Sequence, residues 1–239
     1  MNPTSSIKAI SFDGDMTLWD FQKVMRHSLS IALAELRRRV PSQATSELTI
    51  EKMIEIRNTV AAGLKGKTVN LEEVRLHAFK HTLAHVGCTD DAFASELNAL
   101  YLKHRFEDIE LYADVVPALD AIRAKCPIGL LSNGNSCPER CGLEGRFSFV
   151  VFAQDVGVEK PGAEIFHLTC KQAGCAPNEL VHVGDSLESD IVGANAVGAI
   201  SVWLNRDDMP NNTGIVPDHE VRSLAELPDI VGSFGKHVG

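Results

Sequence analysis

The chain has 239 residues, 44% of them hydrophobic and 23% charged, with 23 Lys and Arg against 32 Asp and Glu for a formal charge of −9. This is a globular composition, and the length suits one large domain, or a domain with an insert, that can bury a sizeable core. The negative charge argues against a general nucleic-acid or membrane-surface binder, whose partners are anionic, so any anionic ligand must be drawn in locally by a metal ion or a few placed cations.

The longest apolar stretches, such as Phe149 to Ala153, fall far short of the ~20 residues a membrane span needs. Six scattered cysteines, Cys88, Cys126, Cys137, Cys141, Cys170 and Cys175, read as reduced thiols of a cytoplasmic protein. A strand-like run begins at Ile7, and no signal peptide is expected before it.

Ile7 to Phe12 is short and apolar-rich and ends at an acidic cluster, which predicts a buried strand. No strand signal follows for more than a hundred residues. Helical periodicities run instead near Phe21–Arg39, Ile50–Gly63, Leu71–Val86 and Asp91–Phe106. Asn70 with Glu73 reads as a capping box, and breaks are expected at Pro41 and at Gly63 to Lys67. Beyond this insert, strands are predicted at Ile128–Leu131, Phe149–Phe152, Leu180–Val183 and Ala199–Leu204. Helices are predicted at Asp114–Lys125, Pro161–Gly174 and Leu187–Val197. Alternation of this kind predicts an α/β fold, a parallel sheet with helices on both faces.

Four polar sites follow strands or open helices. Asp13-Gly14-Asp15-Met16-Thr17 leaves the first strand, and two carboxylates there are costly unless something cationic lies between them. Ser132-Asn133-Gly134 leaves the second and offers a hydroxyl and amides to a phosphate oxygen. Lys160, before Pro161 and Gly162, could set one positive charge over a phosphoryl group. Gly184-Asp185, followed by Glu188 and Asp190, offers hard oxygens to Mg²⁺. Each alone is an ordinary polar loop or helix cap. On one edge of one sheet they supply the parts of phosphoryl transfer.

The four motifs, with Asp13, Ser132, Lys160 and Asp185 spaced in turn by 119, 28 and 25 residues, resemble those of the haloacid dehalogenase (HAD) superfamily. The resemblance covers nearly the whole chain. It implies a Rossmann-like core over residues 1–19 and 110–239 with an inserted all-helical cap over 20–109, closing over the site. It implies a phosphatase of small-molecule phosphate monoesters, with Asp13 as nucleophile and Asp15 as general acid and base, whose pKa should be raised. Mg²⁺ would be held by Asp13, the carbonyl of Asp15 and Asp185. Ser132, Asn133 and Lys160 would bind the phosphoryl group. Thr17 would support the first loop, and Asp190 would orient Lys160 or a metal-bound water. Met16 stands where many members have Gly and adds bulk without an expected loss of activity.

Within the superfamily, the dehalogenases lack a carboxylate at the position of Asp15, which favours a phosphatase. A phosphomutase or dehalogenase-like hydrolase is the next reading, and a catalytically idle binding protein the alternative of another class. An imine-forming lysine at Lys65 or Lys67 is disfavoured by its Gly-flanked turn. His77, His81 and His85 share one helix face and could hold a metal or line a pocket, but read more simply as an exposed stripe. Cys137 and Cys141 have zinc-compatible spacing without a second pair, and idle thiols are the preferred reading. Arg37-Arg38-Arg39 reads as a solvated helix end, and Trp19 and Phe21 as packing residues. Oligomeric state is not readable.

Overall fold

Short runs of Ile, Val, Leu and Phe with almost no polar interruption can be buried only in the middle of a parallel sheet. In the computed structural model, which describes residues 6–64, 67, 68 and 70–233, such runs form strands β1 (Ala9–Phe12), β2 (Ile128–Ser132), β3 (Phe149–Phe152), β4 (Leu180–Gly184) and β5 (Ile200–Leu204). A sixth, β6 (His219–Val221), was not foreseen, because three residues carry no readable alternation. All pair in parallel in the order β3-β2-β1-β4-β5-β6. β1, β2 and β4 are buried throughout, and β1 lies between the other two.

The helices are α1 (Phe21–Arg39), α2 (Gln43–Glu47), α3 (Ile50–Leu64), α4 (Leu71–His85), α5 (Asp91–Glu107), α6 (Val115–Arg123), α7 (Ala153–Val156), α8 (Ala163–Ala173), α9 (Val192–Val197) and α10 (Leu227–Ser233). The chain divides into two compact units, Met1–Asp20 with Leu111–Gly239, and Phe21–Glu110. The crossings lie at Asp20–Phe21 and Glu110–Leu111, where expectation had residues 19–20 and 109–110, and on the sheet side of them Trp19 bridges Leu111 and the Tyr112 N–H donates to the Leu18 carbonyl.

In the helical unit, Val24, Met25, Leu29, Ala32, Leu33 and Leu36 make the buried stripe of α1. All but Val24 pack in one cluster with Phe79, Leu83, Phe93, Leu97 and Tyr101 of α4 and α5. The polar run after Pro41 is not just a break. It forms α2, capped by the Ser42 hydroxyl. The Arg37-Arg38-Arg39 end is exposed as expected, and the Arg37 guanidinium also donates to the carbonyls of Thr45, Ser46 and Leu48. The α4 cap is half of the expected box. Asn70 accepts from the N–H groups of Glu72 and Glu73, but Glu73 accepts from the Thr68 hydroxyl, which in turn accepts from the Asn70 N–H. Lys65 lies outside the described residues.

Beside the sheet, α8 buries Ile165, Phe166 and Cys170 against Val151 and Phe149. Gly129 in β2 leaves room for the Phe149 ring, which an added Cβ would meet at 2.0 Å. The helix expected over Leu187–Val197 is two pieces, a wide π turn at Leu187–Ile191 and then α9. The wide turn lets the side chain of Asp190 fold back towards Gly184, whose missing Cβ would lie 2.2 Å from it.

Candidate active site

Register places the site. Phe12 is paired with Leu130 on one side and Val183 on the other, so the residues that follow β1, β2 and β4 leave the sheet at one level. Ligands of open parallel sheets bind at this carboxyl edge. Asp13 leaves β1 with its N–H on the Val183 carbonyl at 2.8 Å. The chain then makes a tight flap in which Met16 takes φ 64°. The Thr17 and Leu18 amides donate to the Gly14 carbonyl, and the Met16 amide to the Trp19 carbonyl. Gly14 is required here, since a Cβ would meet the Trp19 ring at 2.7 Å.

The flap turns Asp15 back over its own base. Its carboxylate accepts from the Trp19 indole N–H at 2.7 Å, so Trp19 does more than pack. The same carboxylate lies over Gly134, where a Cβ would come within 2.9 Å of it and 3.3 Å of Ser132 Oγ. Ser132 is buried, and its hydroxyl accepts from the Gly134 N–H at 3.0 Å. Asn133 clamps Lys160 by its main chain, its side-chain amide donating to the Lys160 carbonyl and its oxygen accepting from the Lys160 N–H.

Lys160 is 4% exposed. Its ammonium donates to Asp13 Oδ1 at 2.7 Å, Asp190 Oδ1 at 2.6 Å and the Leu131 carbonyl at 2.8 Å. All three N–H bonds are therefore taken inside the protein, and in this state none is left for a phosphoryl oxygen. Asp190 also accepts from His182 Nε2 at 3.1 Å and from the Ser186 N–H at 3.0 Å. His182 Nδ1 meets the Ser11 hydroxyl at 2.8 Å. Burial pushes His182 below its ordinary pKa, which keeps the ring neutral. With Nε2 donating to Asp190, Nδ1 accepts from Ser11.

Asp185 accepts from the Thr17 hydroxyl at 3.3 Å, and its carbonyl accepts from the Trp203 indole. Carboxylate oxygens of Asp13, Asp185 and Asp190 converge within 4.8 Å. Three carboxylates face one ammonium, which leaves two negative charges uncompensated. Burial accordingly pushes Asp13 up to about 8, against the pull of Lys160. Burial, with Asp190 nearby, pushes Asp185 up to about 6. Asp190 is also buried but lies well below the usual range, because Lys160 and His182 outweigh the burial. The pattern marks Asp13, which shares Lys160 with Asp190, and Asp185, which has no ion-pair partner among the described residues, as the groups short of positive charge.

Sequence reasoning missed Ser11, His182, Arg206 and Asp114, and read Trp19 as packing only. The first two had a signal, a Ser and a His inside apolar strands that register pairs side by side. Arg206 had none. It donates to the Thr17 carbonyl at 2.9 Å, pairs with Asp114 and covers the Tyr112 ring, tying the flap to the end of β5. A cleft of about 580 Å³ opens beside Asp185, lined by Met16, Tyr112, Ser186, Trp203 and Arg206 among others. His77, His81 and His85 line another cleft within the helical unit, with Lys52 and Glu55. Among the described residues no metal-binding cluster forms there or at Cys137 and Cys141.

A parallel α/β sheet with paired aspartates, a lysine and a further carboxylate at one edge is the arrangement of a hydrolase-type active site. A family model for haloacid dehalogenase-like hydrolases matches residues 7–198, and the chain belongs to that family. It is similar to the glyceraldehyde 3-phosphate phosphatase of Methanopyrus kandleri, 29% identical over 96% of this chain and 99% of the other. It is also similar to human N-acylneuraminate-9-phosphatase, 29% identical over 96% of each chain, and to the (S)-2-haloacid dehalogenase of Pseudomonas putida, 30% identical over 93% of this chain and 95% of the other. Among solved structures, a 2-haloacid dehalogenase from Pseudomonas syringae superposes with a TM-score of 0.80 at 26% identity, over 96% of this chain and 100% of that one. The HAD-hydrolase YfnB from Bacillus subtilis, bound to magnesium, superposes with a TM-score of 0.71 at 25% identity, over 95% and 99%. The chain is thus an enzyme of this family, and the phosphatases among its relatives support phosphatase action. Among the described residues no helix is long and apolar enough to cross a membrane.

Proposed function

We propose that this enzyme is a Mg²⁺-dependent phosphatase that hydrolyses a small-molecule phosphate monoester through an aspartyl-phosphate on Asp13. The observation that carries the reading is Asp15. It is a second carboxylate two residues after Asp13, held by the Trp19 indole at the level of Ser132 and Gly134, where it can serve the leaving group. Two excess negative charges and an all-carboxylate set of hard oxygens suit Mg²⁺. Asp13, Asp185 and the Asp15 carbonyl would hold it. When bound, the ion supplies charge neutralisation between the anionic nucleophile and the anionic substrate.

Asp13 must be ionised to attack, and burial alone opposes this. Lys160 holds Oδ1, which leaves Oδ2 for phosphorus. The Asp13–phosphorus bond forms as the ester oxygen departs, and Asp15 gives that oxygen a proton. As Asp13 is esterified it loses its charge, the negative charge now resting on Asp15, and the Lys160 N–H on Oδ1 can turn to a phosphoryl oxygen. The hydroxyl of Ser132 and the amide of Asn133 bind the others. Asp15, now ionised, takes a proton from water, whose oxygen attacks phosphorus and releases Asp13 and inorganic phosphate. Thr17 keeps Asp185 in place, and Asp190 keeps Lys160 in place.

The test is p-nitrophenyl phosphate hydrolysis with Mg²⁺ and then with excess EDTA, followed by a panel of phosphorylated sugars and sugar acids, nucleoside monophosphates and phosphoglycolate. The names of two relatives put phosphorylated sugars and sugar acids first. The expected result is phosphate release that EDTA abolishes. Because one relative is named a dehalogenase, chloride release from chloroacetate is measured in parallel, and chloride without phosphate would overturn the reading. All six cysteines are free, which agrees with the cytoplasm as the proposed compartment.

A further inference from the structure

The helical unit holds a second convergence of ligand-type side chains, which the proposed reaction does not use. His27 of α1, His104 of α5 and Asp108, the residue that ends α5, bring one atom each within 4.8 Å of one another. His27 Nε2 lies 3.1 Å and His104 Nδ1 2.8 Å from the same oxygen, Asp108 Oδ2. The two rings stand edge to face at 88°, with centroids 6.2 Å apart. From this geometry we propose that His27, His104 and Asp108 form a binding site for a borderline divalent transition cation, Zn²⁺ foremost, which pins α1 to α5.

Three observations carry the proposal. Bonds of 2.0–2.1 Å to a tetrahedral ion set ligand atoms about 3.3 Å apart, close to the 3.1 and 2.8 Å seen here. The donor set is two imidazoles and one carboxylate, which suits Zn²⁺, Co²⁺ or Ni²⁺ and not Mg²⁺. His104 and Asp108 are spaced i, i+4 on one helix face, so only His27 must be supplied from elsewhere. Electrostatics adds a reason for a cation. Asp108 sits at the C-terminal end of α5, its N–H on the His104 carbonyl, where the helix dipole disfavours a carboxylate and favours positive charge. Neither Lys nor Arg among the described residues pairs with Asp108; its ion-pair partners are the two imidazoles.

Coordination through His27 Nε2 and His104 Nδ1 places each ring's remaining proton on the other nitrogen, His27 Nδ1 and His104 Nε2. No bond other than metal–ligand bonds forms. Three protein ligands leave a fourth position for water. The site is partly exposed, so the ion can enter without unfolding, and binding to the folded state alone raises stability by mass action.

The test titrates Co²⁺ into the full chain carrying Asp13→Asn and Asp185→Asn, which removes the carboxylate cluster of the sheet unit as a competitor. The expected result is a visible d–d band that saturates at one equivalent, without a near-ultraviolet thiolate band, and that Zn²⁺ displaces. Adding His104→Ala or His27→Ala should weaken binding at least about tenfold and abolish the rise in melting temperature that Zn²⁺ produces, with the circular dichroism of the metal-free protein unchanged. Absence of the band, its persistence in both histidine variants, or a thiolate band in its place would overturn the proposal. With His27→Ala or His104→Ala placed instead in the chain that keeps Asp13 and Asp185, p-nitrophenyl phosphatase activity in Mg²⁺ should match that of the unsubstituted protein, so failure here is separable from failure of the phosphatase reading.

Discussion

Asp190 in the sheet unit and Asp108 in the helical unit both accept from imidazole nitrogens, but their surroundings differ. Asp190 is 1% exposed and receives an ammonium, an imidazole and a backbone amide. Asp108 is about a third exposed and receives two imidazoles on one oxygen. A carboxylate without access to water must have every lone pair answered by the protein, so each member of its network becomes indispensable. A carboxylate in water is answered by solvent, and the protein can leave its neighbours free to bind something else.

The largest effect should come from the buried cluster. Asp13→Asn should lower turnover by on the order of 10⁴-fold or more without lowering the melting temperature, because it removes one of three crowded carboxylates. A single-turnover assay that still traps a phosphorylated enzyme in this variant would break the assignment. Lys160→Met comes next. It strands Asp13 and Asp190 without their cation and should cost about 3–5 kcal/mol of stability, read by denaturant unfolding. A loss under about 1 kcal/mol would put the buried network on a par with a surface pair.

The pH dependence sharpens the contrast further. Asp13 and Asp185 ionise in the unfolded chain near the ordinary 3.8, but in the folded chain only near about 8 and about 6. A raised folded pKa means that the folded state keeps protons the unfolded state has lost. Stability of the metal-free protein should therefore fall as pH rises from about 4 through about 8. Mg²⁺ needs the ionised carboxylates, so it should raise the melting temperature more at pH 8 than at pH 6. An equal rise at both would show that the two carboxylates are not what it binds. Trp19→Phe removes the indole donor on Asp15 while keeping an aromatic ring. It should lower kcat about tenfold, the worth of one well-placed hydrogen bond, with KM for p-nitrophenyl phosphate little changed. Asp108→Asn should be the mildest. Without added metal it should shift stability by less than about 1 kcal/mol, and a loss of several kcal/mol would mean that the helical trio is a structural network like the buried one.

Much of this was legible in the residues. The five long strands announce themselves because a doubly covered strand tolerates only apolar side chains, and the polar turn after each marks where it leaves the sheet. The long helices α1, α3, α4 and α5 follow from periodicity, and α4 also from Asn70 at its N-cap; the Asp90 cap of α5 was not read. Short elements did not show. β6 and α2 have too few residues for a period, and the π turn before α9 looks like an ordinary helix start. Asp13, Asp15, Ser132 and Asp185 stand out because ionisable or polar groups at the end of a buried strand are costly and so carry meaning, and Lys160 only through its place before a helix start. Trp19 and Arg206 did not, because an aromatic after a loop and an arginine in a loop are unremarkable until the chain closes on itself.

The sequence by itself determined the local alphabet of the longer elements: which long segments are strands, which are helices, and that acidic and polar groups follow the strands. Those outcomes depend on side-chain period and on the cost of burying charge, both local properties. Tertiary structure decided what local rules cannot reach. Parallel pairing at matched register set Ser11 beside His182, and a glycine with no Cβ let Asp190 fold back onto Lys160. Packing of α1 against α5 brought His27 to His104 and Asp108 from 77 residues away. Such meetings depend on where distant segments come to rest, and that is set by the packing of the whole core rather than by any window of the chain.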